Sequence, residues 1–137
     1  MSGVVVDASV ALAWCFPDEA SDYADRALVA LKGQTLVVPA VWGLEITNAL
    51  LVGERHKRLK RPDIMRFVAL LDGLSILQDC QSARESVSNV LPLARDYGLS
   101  AYDAAYLQLA IRRSAPLATL DNDLQKAAKQ AGLRIFP

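Results

Sequence analysis

Five short, largely apolar stretches recur along this 137-residue chain, separated by segments with the spacing of amphipathic helices. The stretches cover residues 4–6, 35–38, 74–77, 117–119 and 133–136. Short strands that are apolar along their whole length are typical of a sheet buried on both faces, and strands that alternate with helices are joined by crossover connections. The alternation therefore predicts an α/β fold with a parallel sheet.

Helical spacing predicts the segments between these strands. Six of them cover residues 8–16, 19–32, 41–54, 62–71, 82–97 and 122–131. A further helix is capped by Ser100 and runs through Arg113. Pro92 lies inside the fifth of these segments, so a kink or break is expected there. The sequence has no internal repeat and no low-complexity linker, and its length fits one domain, so we take residues 1–137 as a single domain.

The charge balance excludes a general electrostatic attraction to nucleic acid or membranes. Fifteen Lys and Arg residues balance fifteen Asp and Glu residues, so any such attraction has to be local. No uncharged apolar stretch approaches the roughly 20 residues of a membrane span, and no basic region precedes the first apolar run as in a signal peptide. Two cysteines stand far apart and in no motif, which is typical of free thiols. We therefore expect a cytoplasmic protein without a membrane segment.

Two acids follow predicted strands. Asp7 ends the run "VVVD", and Asp121 comes just after the fourth strand in "ATLDNDL". Ligands of open parallel sheets bind beyond the carboxyl ends of the strands. If the first and fourth strands are neighbours, these two carboxylates lie together at that edge of the sheet.

Two further acids lie on the apolar faces of predicted helices. Glu45 shares a face with Trp42, and Asp103 shares a face with Tyr106. A buried carboxylate without a partner is costly, and no lysine or arginine lies within one helical turn of Asp7, Glu45 or Asp103. A bound cation would satisfy all these acids together. A ligand set made only of oxygens favours magnesium (Mg2+) or manganese (Mn2+), ions that assist phosphoryl chemistry.

Each acid also has a simpler interpretation. Asp7 is a good cap for the short helix after it, and Asp121 or Asp123 is a good cap for the last helix. Glu45 and Asp103 are alternatively half-exposed or paired with distant bases. The coincidence of two strand-end acids and two apolar-face acids in one small chain favours a shared site.

Four segments of the chain resemble the PIN-domain nucleases, and most closely the toxins of VapBC toxin–antitoxin pairs. They are "VVVDASVALAW", "VPAVWGLEITNAL", "LSAYDAAYLQLA" and "LATLDNDLQKAA", and their order and spacing cover nearly the whole chain. The resemblance implies a five-stranded parallel sheet between helices and a magnesium- or manganese-dependent endoribonuclease that cuts RNA. It also implies a homodimer and a cognate VapB-type antitoxin whose tail lies over the active site. Trp14 and Trp42 would form part of a groove for that tail, unless both are core residues.

The resemblance also implies roles for individual residues. The family's catalytic and metal-binding acids match Asp7, Glu45, Asp103 and Asp121. Its supporting polar residues match Ser9, Asn48 and Thr119. Glu45 would be a metal ligand or a base that orients water. In "LDNDL" the family pattern points to Asp121, and Asp123 either adds an outer contact or only caps the helix.

A basic stretch, "RHKRLKR", offers a contact for the RNA backbone, which acids alone would repel. Its five bases are Arg55, Lys57, Arg58, Lys60 and Arg61. The competing interpretation is a solvated helix end whose cations are favoured by the helix dipole. Arg112 and Arg113 are a weaker candidate for the same contact.

Three other functions compete with this one. A phosphohydrolase of the haloacid dehalogenase type also has an aspartate after its first strand, but it usually needs a second acid two residues later, where this chain has Ser9. A receiver domain would use Asp79 as its phosphate acceptor, but the acid pair expected after the first strand is missing. A non-catalytic PIN-like interaction module would not need the full set of acids. The metal dependence of RNA cleavage separates all of these.

Overall fold

A computed structural model describes residues 3–137. Its sheet has four parallel strands, which are β1 (Gly3–Val6), β2 (Thr35–Val38), β3 (Ser75–Gln78) and β4 (Leu117–Ala118). Their order across the sheet is β3-β2-β1-β4. The prediction of a parallel sheet is confirmed, and β1 and β4 are neighbours whose carboxyl ends open at the same edge.

Helices alternate with the strands, as predicted. They are α1 (Ala8–Ala13), α2 (Asp22–Ala30), α3 (Val41–Arg55), α4 (Arg61–Asp72), α5 (Ala83–Tyr97), α6 (Ala101–Arg113) and α7 (Asn122–Gln130). A 3-10 turn at Pro17–Glu19 precedes α2, so this helix begins later than the predicted residue 19. Ser21 caps α2 by accepting a hydrogen bond from the Ala24 N–H.

The core lies on both faces of β1. Val5 packs into a cluster with side chains of α3, α6 and α7, whereas Val4 and Val6 pack into a second cluster with α2. These three valines are 0–1% exposed, as predicted for a strand buried on both faces. Each fully buried valine contributes roughly 1.5–3 kcal/mol relative to an exposed one. β1 is therefore firmly held, and the residue that follows it is fixed at the middle of the sheet edge.

The prediction of a fifth strand at residues 133–136 is wrong, because the sheet has four strands rather than five. Ile135 forms only an isolated parallel bridge with Leu117. The chain leaves the sheet after Ala118, so β4 is two residues long and offers too few partners for a fifth ladder. Phe136 still donates its N–H to the Leu117 carbonyl at 2.9 Å, which keeps this terminal segment against the sheet.

Pro92 does not break α5, contrary to one of the two expected outcomes. The helix runs without interruption from Ala83 to Tyr97, and its ends are fixed locally. Ser82 accepts the Glu85 N–H at 3.1 Å, and Gly98 ends the helix with a left-handed φ of 64°. Pro92 is exposed, so the backbone carbonyl that lacks its usual donor lies at the surface.

Residues 3–137 contain no helix that is both long and apolar enough to cross a membrane. Both cysteines are free, as expected. Cys15 is half-buried and Cys80 is exposed.

Candidate active site at the carboxyl ends of the strands

The predicted acids lie around one open cleft of about 550 Å³ at the carboxyl ends of β1 and β4. Its walls include the carboxylates of Asp7, Glu45, Asp103 and Asp121. β1 supplies the first of these, α3 and α6 supply the next two from half-buried positions, and the turn after β4 supplies the last. Two strand ends and two helix faces are therefore brought together as the sequence predicts.

Asp7 is the only charged residue that is buried among residues 3–137, with 6% exposure. Its Oδ2 atom accepts hydrogen bonds from the hydroxyls of Ser9 (2.8 Å) and Thr119 (2.7 Å). The side chain occupies the cap position of α1 but makes no capping hydrogen bond, so the simpler interpretation of Asp7 as a helix cap is not supported. Two hydroxyls therefore hold one oxygen of this carboxylate in place.

The pKa values of three of these acids are raised, with burial as the largest cause in each. For Asp7, the negative charge of Asp121 adds to burial, while the two hydroxyl contacts act in the opposite direction. For Glu45, the charges of Asp7 and Asp103 raise the pKa further. For Asp103, the charges of Asp121 and Asp7 do the same. The carboxylates are therefore close enough to repel one another, and they favour the binding of positive charge between them.

Tyr106 is a site residue that the sequence did not single out. Its hydroxyl donates a hydrogen bond to Glu45 Oε1 at 2.5 Å, and its side chain is fully buried. Burial, the bond to Glu45 and the nearby charge of Asp7 raise the pKa of Tyr106 well above its usual range, so the hydroxyl remains a donor. The spacing that placed Tyr106 on the same helix face as Asp103 was the available clue. Tyr106 fixes the direction in which Glu45 faces the cleft.

Asp121 is both a cleft residue and a helix cap. Its Oδ1 accepts the Leu124 N–H at 3.0 Å at the start of α7, and its own N–H donates to Thr119 Oγ1 at 3.0 Å. Thr119 thus contacts both strand-end acids. The structure places the cap at Asp121 rather than at Asp123, which is exposed in the first turn of α7 and does not line the cleft.

The remaining polar candidates differ in how the structure places them. Asn48 lines the cleft from α3, one turn after Glu45, and is exposed. Ser9 holds Asp7 and also accepts the Leu120 N–H at 3.1 Å, which ties α1 to the turn after β4. Ser9 therefore serves as a hydrogen-bonding support at the position where a haloacid dehalogenase-type enzyme has its second acid.

The donor set of the cleft fits a hard divalent cation. Within residues 3–137, none of its four acids is paired with a lysine or an arginine. The described residues contain no group of three or more His, Cys, Asp or Glu arranged to hold a metal ion as the side chains stand. Glu45 is turned toward Tyr106, and the charges of Asp7 and Asp103 act on it. The cleft therefore supplies oxygen ligands of the right chemistry without a closed cage.

The predicted basic contacts are not equivalent. Of the five bases in the stretch, only Arg58 lines the cleft. The others are exposed, and Arg61 reaches Glu54 only at 4.0 Å. Arg112 and Arg113 are directed elsewhere.

Asp79, the acceptor that a receiver domain would need, is held by both of those arginines. Arg112 contacts it at 2.5 Å and Arg113 at 3.2 Å.

The two tryptophans proposed for a groove are placed differently. Trp42 is 7% exposed and belongs to the core, and Trp14 is half-buried with its indole N–H donated to the Ala24 carbonyl at 2.8 Å. Trp42 is therefore a core residue, Trp14 packs against the core from a half-buried position, and neither lines the cleft.

Comparisons with known proteins agree on one family. A family model described as "PIN domain" matches residues 4–130. Ribonuclease VapC3 from Pyrobaculum aerophilum is 31% identical over 121 residues, which cover 88% of this chain and 91% of that protein. The crystal structure of PAE2754 from Pyrobaculum aerophilum matches with a TM-score of 0.68 and 24% identity, over 92% of this chain and 79% of that one. The crystal structure of FitAcB from Neisseria gonorrhoeae matches with a TM-score of 0.59 and 18% identity, over 98% and 96% of the two chains.

Proposed function

The chain belongs to the PIN-domain family, and we propose that it is a metal-dependent endoribonuclease, the toxin of a VapBC toxin–antitoxin pair. The observation that carries this proposal is the cleft itself, which four acids line without an ion pair to a lysine or arginine among the described residues. The name of the relative Ribonuclease VapC3 supports RNA as the substrate.

In this proposal, Asp7, Asp103 and Asp121 hold one or two Mg2+ or Mn2+ ions, and Glu45 is either a further ligand or a base. A bound ion of this type neutralises charge on the scissile phosphate and lowers the pKa of water. Ser9 and Thr119 hold Asp7 Oδ2, so that Oδ1 faces the cleft. Tyr106 holds Glu45 Oε1, which leaves Oε2 to accept a proton from the attacking water.

The raised pKa of Glu45 suits the role of a base. Burial and two neighbouring carboxylates make this side chain a better proton acceptor than an ordinary glutamate. Asp103 lies at the start of α6, where the Ser100 hydroxyl caps the helix by accepting the Asp103 N–H at 3.2 Å. The capped turn fixes the backbone of Asp103 at the rim of the cleft.

The experiment for this proposal is cleavage of a mixed cellular RNA by the purified chain. We expect cleavage with magnesium or manganese, no cleavage with excess chelator, and recovery when the metal is restored. Cleavage that continues at full rate in chelator would show that the acids have another purpose. An absence of cleavage with either metal would refute the nuclease assignment.

We further propose a cytoplasmic homodimer that binds a VapB-type antitoxin across the cleft. Several large apolar side chains are exposed in the isolated chain, which supports contacts with other chains. They include Leu44, Met65, Val87, Leu91 and Tyr102. α5 has no buried residue although it is amphipathic, so a second chain would complete its packing.

Two measurements test these partners. Light scattering across a concentration series should give the mass of a dimer, and a monomer at every concentration would refute the dimer. The product of an adjacent small gene should co-purify with this chain and suppress its RNA cleavage. Failure to bind that product would refute the antitoxin pairing and leave the nuclease proposal intact.

A further inference from the structure

We infer that Arg58 is a pre-positioned binding site for an RNA backbone phosphate at the mouth of the acid cleft. The inference rests on the proposed function for its ligand, but its observations are separate from the acids. Of the five bases in the stretch Arg55–Arg61, it is the one whose side chain both lines the cleft and is anchored.

The guanidinium of Arg58 is anchored through only one of its nitrogens. Nη2 donates to the Asp18 carboxylate at 2.8 Å and to Glu19 Oε2 at 2.6 Å. Its Nε and Nη1 donors contact no acceptor among residues 3–137. A guanidinium offers its donors in a rigid fork that matches the oxygens of a phosphate. The anchored nitrogen fixes the fork, and the remaining donors are left for a ligand.

The ring of Phe16 forms a platform beneath this guanidinium. The central carbon of the Arg58 guanidinium lies 4.2 Å from the ring centroid, within the range of a cation–π contact. Phe16 is 2% exposed and also lines the cleft. Its place depends on Gly53, because a Cβ at that position would lie 2.7 Å from the ring. The side chain of Arg58 is therefore held from below as well as from one edge.

The backbone of Arg58 is fixed as well. The Gly53 carbonyl at the end of α3 accepts the N–H groups of Arg58 (2.8 Å) and Leu59 (3.2 Å), and Leu59 is buried. Lys57 takes a left-handed φ of 59°, which turns the chain so that Arg58 points back toward the cleft. A residue that has lost its freedom before binding loses less entropy when the ligand arrives.

The basic stretch that carries Arg58 keeps a positive excess in spite of the two anchoring acids. Residues 54–61 together with Asp18 and Glu19 hold five bases and three acids. The positive excess lies beside a cleft that is itself negative. A phosphate of the RNA backbone would therefore be held at the rim by Arg58 while the neighbouring phosphodiester reaches the acids.

The competing interpretation is that Arg58 only ties the 3-10 turn at Pro17–Glu19 to the end of α3. To separate the two, fluorescence anisotropy is measured with a labelled single-stranded RNA over a KCl series, with calcium in place of magnesium. A gel of the same samples reports any cleavage. The variants are Arg58→Gln and the matched control Arg61→Gln, whose side chain is 90% exposed in the same stretch.

We expect Arg58→Gln to weaken RNA binding about tenfold and to reduce the slope of log affinity against log salt by about 0.7, the value of one lost phosphate contact. In cleavage assays the loss should appear in KM rather than in kcat, and Arg58→Lys should restore part of it. Arg61→Gln should change affinity by about twofold or less. Equal effects of Arg58→Gln and Arg61→Gln would overturn the inference.

A double variant, Asp18→Asn with Glu19→Gln, tests the structural alternative. It breaks the anchor but keeps the positive charge of Arg58, so the salt slope should not be reduced, and RNA affinity should fall by less than in Arg58→Gln. If it instead reduces both the affinity and the salt slope to the same extent as Arg58→Gln, the anchor itself is what matters and Arg58 does not bind phosphate. A parent chain that binds RNA but never cleaves it would refute the nuclease proposal and leave the Arg58 inference standing.

Discussion

Asp7 and Asp79 occupy equivalent positions at the carboxyl ends of two strands of the same sheet, yet their environments are opposite. Each directly follows a strand, and each donates its N–H to the last residue of a neighbouring strand, Ala118 for Asp7 and Val38 for Asp79. Asp7 lies near the charge of Asp121 and accepts hydrogen bonds from two hydroxyls. Asp79 faces two arginines.

The pKa values of the two acids move in opposite directions. Burial raises the pKa of Asp7 more than its two hydroxyl contacts lower it. Burial also acts to raise the pKa of Asp79, but hydrogen bonds from Arg112 and Arg113 outweigh it, and the pKa is lowered. A strand-end acid is therefore not by itself the mark of a site. What distinguishes Asp7 is that its charge is left uncompensated, whereas the charge of Asp79 is used to join β3 to the end of α6.

The largest expected difference between the two acids is in activity. Asp7→Asn should reduce RNA cleavage more than about 100-fold, since even outer partners of metal ligands are worth about 10–100-fold. Asp79→Asn should leave the rate per folded molecule within about twofold, because its carboxylate does not line the cleft. Both variants are assayed side by side at saturating manganese. Comparable losses of cleavage in the two variants would contradict the assignment of Asp7 to the site and of Asp79 to a structural ion pair.

The next largest expected loss of RNA cleavage is at a third strand end, where Asp121 follows β4. Asp121→Asn should lower cleavage about tenfold or more by weakening metal binding, while Asp123→Asn should change it by about twofold or less. Both variants should melt near the parent, because asparagine caps α7 about as well as aspartate does. The measurements are metal-dependent cleavage and melting temperature. If Asp123→Asn is the inactive variant, the fourth acid of the site has been misassigned.

For stability, in contrast to activity, the substitution at Asp79 should have the larger effect and the substitution at Asp7 the smaller one. Asp79→Asn should lower the free energy of unfolding by about 1–2 kcal/mol, a range kept modest because both arginines are more than a third exposed and regain water. Asp7→Asn should leave it unchanged or raise it in metal-free buffer, since a repelled carboxylate is removed. Urea unfolding followed by tryptophan fluorescence measures both. A large destabilisation by Asp7→Asn would mean that its hydroxyl contacts outweigh the repulsion.

The smallest effect is in the pH dependence of stability. Between its ordinary and its raised pKa, Asp7 binds more protons in the folded state, so the parent loses stability as the pH rises through that window. Asp79 has a lowered pKa, so its contribution is present above the ordinary pKa and is lost as the pH falls. Relative to the parent, Asp7→Asn should gain stability with rising pH and Asp79→Asn should lose it. Melting curves in metal-free buffer that shift in the same direction would contradict one of the two pKa directions.

The sequence was most informative where one local pattern determines the structure. The run of valines in β1 cannot be placed except in the middle of a sheet, and the acid after it is then carried to the sheet edge. Ser100 marked the start of α6 correctly, because a cap depends on neighbouring backbone groups alone. These features needed no knowledge of distant contacts.

The features that were missed depend on distant contacts. The apolar sequence of residues 133–136 is compatible with a full strand or with a single bridge to the sheet. The outcome depends on β4, which is only two residues long, and the segment forms a single bridge. Tyr106 resembles a core residue until Glu45, sixty-one positions away in the chain, meets its hydroxyl. Arg58 is indistinguishable from its basic neighbours in composition, because its placement depends on Phe16 and Gly53.

The hydroxyl oxygen of Thr119 makes hydrogen bonds with both strand-end acids of the cleft. Its Oγ1 donates its one proton to Asp7 and accepts the N–H of Asp121. A substitution at Asp7 frees this hydroxyl to rotate and so alters the turn that carries Asp121. A substitution that removes the charge of Asp121 in turn removes one of the causes that raise the pKa of Asp7. The free-energy changes of substitutions at positions 7 and 121 are therefore non-additive, and the tolerance of each position to mutation depends on the residue present at the other two. Positions 7, 119 and 121 form one epistatic unit, although Asp7 and Thr119 are 112 positions apart in the chain.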